Sequence, residues 1–238
     1  MNTFQSVHEA LQAVANPKKA QLLQGFFRTG KGEYGEGDHF LGITVPVQRQ
    51  IAKRFKLLSQ AEISKLLASP IHEERLVALV ILHFQFEAAE EATKTKIVDY
   101  YLAHTDRINN WDLVDISADK ILGKFLLHRP RDILYQLAKS SSLWEKRIAI
   151  VATFAFIRNH QFDDTMGICE QLMSDKHDLI HKACGWMLRE VGKRDQTALK
   201  AFLDLYAASM PCTMLRYAIE KFPAEVRTFY RDAKRKKR

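Results

Sequence analysis

Only three cysteines, Cys169, Cys184 and Cys212, occur in 238 residues, with no CxxC pair and no Cys/His spacing of the zinc-ligating kind. That excludes a disulfide framework and a structural zinc module, and reads as reduced, mostly buried thiols in a cytosolic protein. No apolar run approaches the ~20 residues that span a bilayer. The opening residues, Met1-Asn2-Thr3-Phe4-Gln5, carry neither the basic nor the apolar region of a signal peptide. Glycine is scarce, and five of the ten fall between Gly30 and Gly42. This stretch reads as a flexible loop. It has no GxxxxGKS or GxxxxGKT pattern, so a phosphate-binding P-loop is excluded. Runs of alternating polar and apolar residues are also missing, which leaves no candidate sheet.

What is present is helical periodicity. Apolar residues make up 47% and charged residues 27%, the balance of a folded soluble protein. Amphipathic segments are predicted at 4–15, 17–28, 46–57, 60–68, 71–88, 91–103, 110–127, 130–139, 143–158, 161–174, 178–193, 196–207, 212–221 and 223–234. Pro17, Pro46, Pro70, Pro130, Pro211 and Pro223 sit near segment starts, where the missing N–H costs little. The segments pair, and their starts recur: His72-Glu73-Glu74-Arg75-Leu76-Val77-Ala78-Leu79 resembles Leu143-Trp144-Glu145-Lys146-Arg147-Ile148-Ala149-Ile150. Taking Arg75, Asp115, Arg147, Lys182 and Arg216 as equivalent gives steps of 40, 32, 35 and 34 residues. Two helices per unit at that period predict an all-α fold, a right-handed α-solenoid of HEAT-like (armadillo-type) repeats with a concave groove. One repeat domain is expected over 1–230, followed by a basic, disordered tail at 231–238.

The chain carries a net +8 with a pI near 9.3, of which the tail contributes six positive charges against one negative. Such an excess points to a polyanionic partner. Four of the five residues at the recurring position are basic. If those helices line the groove, it is a positive track suited to duplex backbone. Asp115 is the acid within that register. Trp111 lies four residues before it, so a helix places an indole and a carboxylate one turn apart on one side. An aromatic face and a carboxylate both attract a cation. The plainer reading makes Trp111 core and Asp115 solvated. Asn109 and Asn110 suit a helix start, and Asp112 suits its first turn. Of the other two tryptophans, Trp186 is better placed to face the groove, and Trp144 to face the neighbouring repeat.

These motifs carry a family resemblance. Phe40-Leu41-Gly42-Ile43 with Pro46 and Arg49, Trp111-Asp112-Leu113-Val114-Asp115, Trp144-Glu145-Lys146-Arg147, and Lys182-Ala183-Cys184-Gly185-Trp186-Met187-Leu188-Arg189-Glu190 follow one another in order. From roughly residue 4 to 222 the chain resembles the bacterial DNA alkylation repair proteins of the AlkD type, which are HEAT-like-repeat DNA glycosylases. The resemblance implies excision of 3-methyladenine and 7-methylguanine from double-stranded DNA. It implies Asp115 as the catalytic aspartate, acting as a carboxylate, Trp111 and Trp186 as active-site tryptophans, and Arg147 beside the centre. Arg147, Lys182, Arg189 and Arg216 are the expected DNA contacts. A family tyrosine near the site has two candidate counterparts, Phe27 and Tyr34; the plainer reading makes Phe27 helix core and Tyr34 an exposed loop aromatic. No cofactor, metal or membrane is expected, and the protein is expected as a cytoplasmic monomer associated with the nucleoid when bound to DNA.

The residues themselves are compatible with that chemistry. A purine alkylated at N3 or N7 is cationic and leaves as a neutral base, so no general acid is required. What remains is to stabilise an oxocarbenium-like sugar and place a water, both within reach of a carboxylate. Two other readings stay open on the same scaffold: a DNA-structure binder without catalysis, and a module whose basic groove takes an acidic peptide.

Overall fold

The computed structural model describes residues 2–235. Residues through Ser117 form one compact unit and residues from Ala118 a second. Among the described residues the regular secondary structure is helical, with a single isolated backbone bridge between His39 and Ile71. No helix is long and apolar enough to cross a membrane.

The first unit contains α1 (Phe4–Gln12), α2 (Pro17–Phe26), α3 (Val45–Arg54), α4 (Gln60–Leu67), α5 (His72–Ala88), α6 (Glu91–Ala103) and α7 (Trp111–Ser117). Helix starts are capped as the sequence dictates. Thr3, Asn16 and Ser59 accept from the N–H groups of Ser6, Lys19 and Glu62, and Pro17 occupies the first turn of α2. Helix α5 is the hub, in contact with α1, α3, α4, α6 and α7. It is buried on every side from His72 to Leu82, including its charged first turn. Each buried Leu, Val or Ile there contributes roughly 1.5–3 kcal/mol. Helix α2 is the opposite case. None of its residues is buried, and Leu22 and Phe26 are exposed.

The glycine-rich stretch departs from the flexible loop expected of it. His39 donates its N–H to Pro70 at 3.0 Å and accepts from the His72 N–H at 2.8 Å. The buried Glu73 carboxylate accepts three successive N–H groups, from Leu41 (2.9 Å), Gly42 (2.8 Å) and Ile43 (3.2 Å). Gly42 has φ +81°, and a Cβ there would lie 2.2 Å from the Asn16 carbonyl, so only glycine fits. Two buried carboxylates, Asp38 and Glu73, therefore hold the second half of the loop.

The second unit contains α8 (Asp132–Ala138), α9 (Leu143–Ala152), α10 (Phe154–Ile157), α11 (Asp163–Gln171), α12 (Asp178–Gly192), α13 (Gln196–Tyr206), α14 (Cys212–Ala218) and α15 (Ala224–Arg235). The helix expected over 143–158 is divided at Thr153, whose buried hydroxyl donates to the Ile150 carbonyl at 2.7 Å. Such side-chain bonding competes with the helix ladder. Helices α12 and α14 approach backbone to backbone at Gly185, where a Cβ would meet the Met214 carbonyl at 2.5 Å. Cys169 and Cys184 are buried, and Cys212 is exposed. The first five residues of the expected tail are helical. Residues 231–235 continue α15, because the preceding turn is anchored by buried Tyr230, whose hydroxyl donates to Asp204 at 2.9 Å. Residues 236–238 lie outside the described residues.

Candidate active site

The start of α7 is built by its own side chains. Asn110 is fully buried, and its Oδ1 accepts the Trp111 N–H at 2.8 Å. Asp112 Oδ1 accepts the Leu113 N–H at 2.9 Å. Leu113, Val114 and Ser117 face the interior, and Ser117 pairs with the Tyr101 hydroxyl at 3.0 Å. Trp111 and Asp115 are half-buried. At 100° per residue they lie about 40° apart around the axis, on one face.

Trp111 is embedded in an aromatic stack. Phe27 lies parallel to it, with centroids 5.0 Å apart and planes at 11°. Phe27 in turn packs on Phe40 at 4.9 Å and on His72 at 5.2 Å. Phe26 meets the indole edge-on at 6.0 Å while remaining exposed. Of the two N-terminal candidates, Phe27 is the buried backing of Trp111, and Tyr34 is half-buried in the loop.

Behind the stack lies a buried polar network. His72 Nδ1 is 2.9 Å from Asp38 Oδ2, and its Nε2 is 2.8 Å from Asp112 Oδ2. Arg75 Nη2 donates to Asp38 Oδ1 at 2.5 Å, and its Nη1 donates to the Ser69 carbonyl at 2.7 Å. Asn110 Nδ2 donates to Asp38 at 3.3 Å. Two carboxylates thus face two bases, and hydrogen bonds from the Asn110 amide and to the Ser69 carbonyl help offset the cost of burying the charges. Burial pushes the His72 imidazole down, but the Asp112 charge and hydrogen bond, and the Asp38 hydrogen bond, outweigh it and raise its pKa to about 9 despite Arg75. Burial likewise pushes Asp38 up, yet His72, Arg75 and Asn110 hold it below the usual carboxylate range.

The raised His72 value sets a pH dependence. An unfolded imidazole titrates near 6.5, so the clamp contributes its full stabilisation, on the order of 3 kcal/mol, below that pH. The contribution is lost as pH rises towards 9, where the folded group deprotonates. Urea unfolding of the wild type and of His72→Gln is expected to show a stability gap that is widest near pH 6 and narrows by pH 9. A constant gap would show that the imidazole is not charged in the folded protein.

The remaining sequence candidates belong to the second unit. Trp186 is half-buried against Phe154, with centroids 5.8 Å apart. The Arg158 guanidinium lies 3.9 Å from the centre of the same Phe154 ring and is held by Asp119 at 2.7 Å. Arg147 is buried, with Nη1 donating to the Leu179 carbonyl at 2.9 Å. Lys182 pairs with Asp178 at 2.8 Å, Arg189 pairs with Glu220, and Arg216 is exposed. Arg75 departs from the expected register of groove-lining cations, because the Asp38 carboxylate and the Ser69 carbonyl hold its guanidinium inward. Among the described residues no group of three or more His, Cys, Asp or Glu side chains is placed to hold a metal ion.

A family model described as the DNA alkylation repair enzyme matches residues 7–222. The chain belongs to that family. A solved structure described as a predicted DNA alkylation repair enzyme from Enterococcus faecalis shares the fold, with a TM-score of 0.68 at 16% identity over 88% of this chain and 97% of that one. No curated protein matches the chain. In this member of the family the α7 face was legible from its four-residue spacing. Phe26, Asp38 and His72 were missed, and Arg75 was read as a groove-lining cation rather than a partner of Asp38. Their signal was a charged first turn, His72-Glu73-Glu74-Arg75, on an otherwise apolar helix, which has to find buried partners.

Proposed function

We propose that this DNA alkylation repair enzyme is a monofunctional DNA glycosylase that excises cationic alkylated purines, such as 3-methyladenine and 7-methylguanine, from duplex DNA. The observation that carries the proposal is the pairing of Trp111 and Asp115 on one half-exposed face of α7. A purine alkylated at N3 or N7 departs with the electron pair of its glycosidic bond and is neutral once free. The developing oxocarbenium ion at the sugar is stabilised by the Asp115 carboxylate, which also accepts a proton from the water that bonds to the anomeric carbon. Indole faces suit a cationic nucleotide, the role assigned to Trp111 and Trp186. Arg147 is assigned to the adjacent phosphate, and Lys182, Arg189 and Arg216 to the backbone. The net +8 charge supports a DNA partner. A monomeric single-domain protein without cofactor or metal suffices for this reaction.

Incubation of methylated duplex DNA with the protein is expected to liberate free 7-methylguanine and 3-methyladenine, read by chromatography of the released bases. Salt-sensitive duplex binding without base release would replace this reading with a DNA-structure binder. Absence of both would leave the acidic-peptide module.

A further inference from the structure

We infer that His72 is a positioning residue for the α7 face, its ring clamped between Asp38 and Asp112 so that α7 is held in one rotation about its axis. The kinetic part of this inference rests on the glycosylase reading; the structural part stands without it.

Three segments meet at the ring. Asp38 belongs to the loop that follows α2, His72 opens α5, and Asp112 is the second residue of α7. Asp112 divides its two oxygens. Oδ1 holds the Leu113 N–H, and Oδ2 turns inward to His72. With Asp112 directed inward, the helical period fixes where Trp111 and Asp115 point. The same ring stacks on Phe40 at 4.4 Å and touches Phe27, which backs the Trp111 indole. One side chain therefore fixes both the helix and the platform behind its aromatic residue. His72 is 1% exposed, so water offers no substitute for either hydrogen bond.

The other charged groups on α5 are committed elsewhere. Glu73 accepts the N–H groups of residues 41–43, and Glu74 Oε1 lies 2.6 Å from His8 Nδ1. Arg75 completes the cluster on Asp38. No other cation is in hydrogen-bond contact with Asp112 among the contacts described, so the tie between α5 and α7 at this point runs through His72.

The test compares full-length wild type, His72→Gln and His72→Arg. Glutamine offers a single donor nitrogen and no charge where the ring presents opposed donors at Nδ1 and Nε2; arginine restores a cation able to meet both carboxylates. His72→Gln is expected to bind methylated duplex within about two-fold of wild type and to lose roughly ten- to thirty-fold in single-turnover base release, the scale of a small misplacement of reacting groups. His72→Arg is expected to regain most of that loss. Equal rates for all three proteins overturn the inference, as does a loss confined to affinity.

A second measurement does not need base release. Amide hydrogen exchange in His72→Gln is expected to quicken about ten-fold across α7 while α6 is unchanged, a local opening. His72→Arg is expected to reverse it. Unchanged exchange at α7, or exchange raised throughout the chain, overturns the inference. Should wild type release no base, the glycosylase reading falls and the exchange result alone decides the role of His72. If His72→Gln does not fold, Asp112→Asn, which loosens the clamp at its half-exposed end, replaces it with the same expected results.

Discussion

Asp115→Asn is expected to leave duplex binding nearly intact and to slow single-turnover release of 7-methylguanine by about 10²–10³-fold, the scale seen when one preorganised electrostatic group is removed from a transition state. The substitution keeps shape and removes charge. In the proposed glycosylase reaction the starting nucleotide carries its positive charge on the base rather than on the sugar. As the bond breaks, that charge moves to the sugar, so a carboxylate there interacts more strongly with the transition state than with the ground state. Rate falls and affinity does not, and the two are measured separately by single-turnover chemistry and by titration of a methylated duplex. A rate within three-fold of wild type would remove Asp115 from the mechanism. Asp115 lies on the half-buried side of α7, away from the buried Leu113 and Val114, so the substitution does not alter the apolar core of the helix.

Glu73→Ala is expected to cost about 4 kcal/mol of stability, because each buried N–H left without a partner costs roughly 1–3 kcal/mol. Three are left at once, on Leu41, Gly42 and Ile43. Nothing nearby can replace the acceptor, since Glu73 is fully buried. Glu73→Gln retains one acceptor oxygen and presents an amide N–H₂ to a donor, so an intermediate loss of about 2 kcal/mol is expected. Urea unfolding followed by circular dichroism measures both. A loss below 1 kcal/mol for the alanine variant would mean that the 41–43 backbone finds other partners. The consequence would reach the candidate site, because Phe40, within the same strap, stacks on both Phe27 and His72.

The helices were legible because helical periodicity and proline placement are local signals. Segments expected at 60–68, 71–88, 91–103 and 178–193 appear as α4, α5, α6 and α12 with ends shifted by at most one residue. The division at Thr153 was not legible. A hydroxyl bonding to the preceding turn is one of several options open to threonine, and tertiary packing selects among them. The loop misled for a related reason. Its glycines advertise freedom, while the groups that remove it, Glu73 and the side-chain partners of Asp38, lie thirty or more residues away in sequence. At the candidate site the same division holds. The spacing of Trp111 and Asp115 is local and was read correctly as one helix face. The clamp at His72 joins residues 38, 72 and 112, and no pattern within a single window connects them.

The unequal exposure of the three thiols has a practical use. Burial pushes the Cys169 thiol far above its ordinary range and encloses Cys184, while Cys212 opens α14 at the surface. A maleimide fluorophore added to the unaltered protein would therefore attach at one position. DNA engagement could then be followed optically, without any engineered cysteine and without disturbing Trp111 or Asp115.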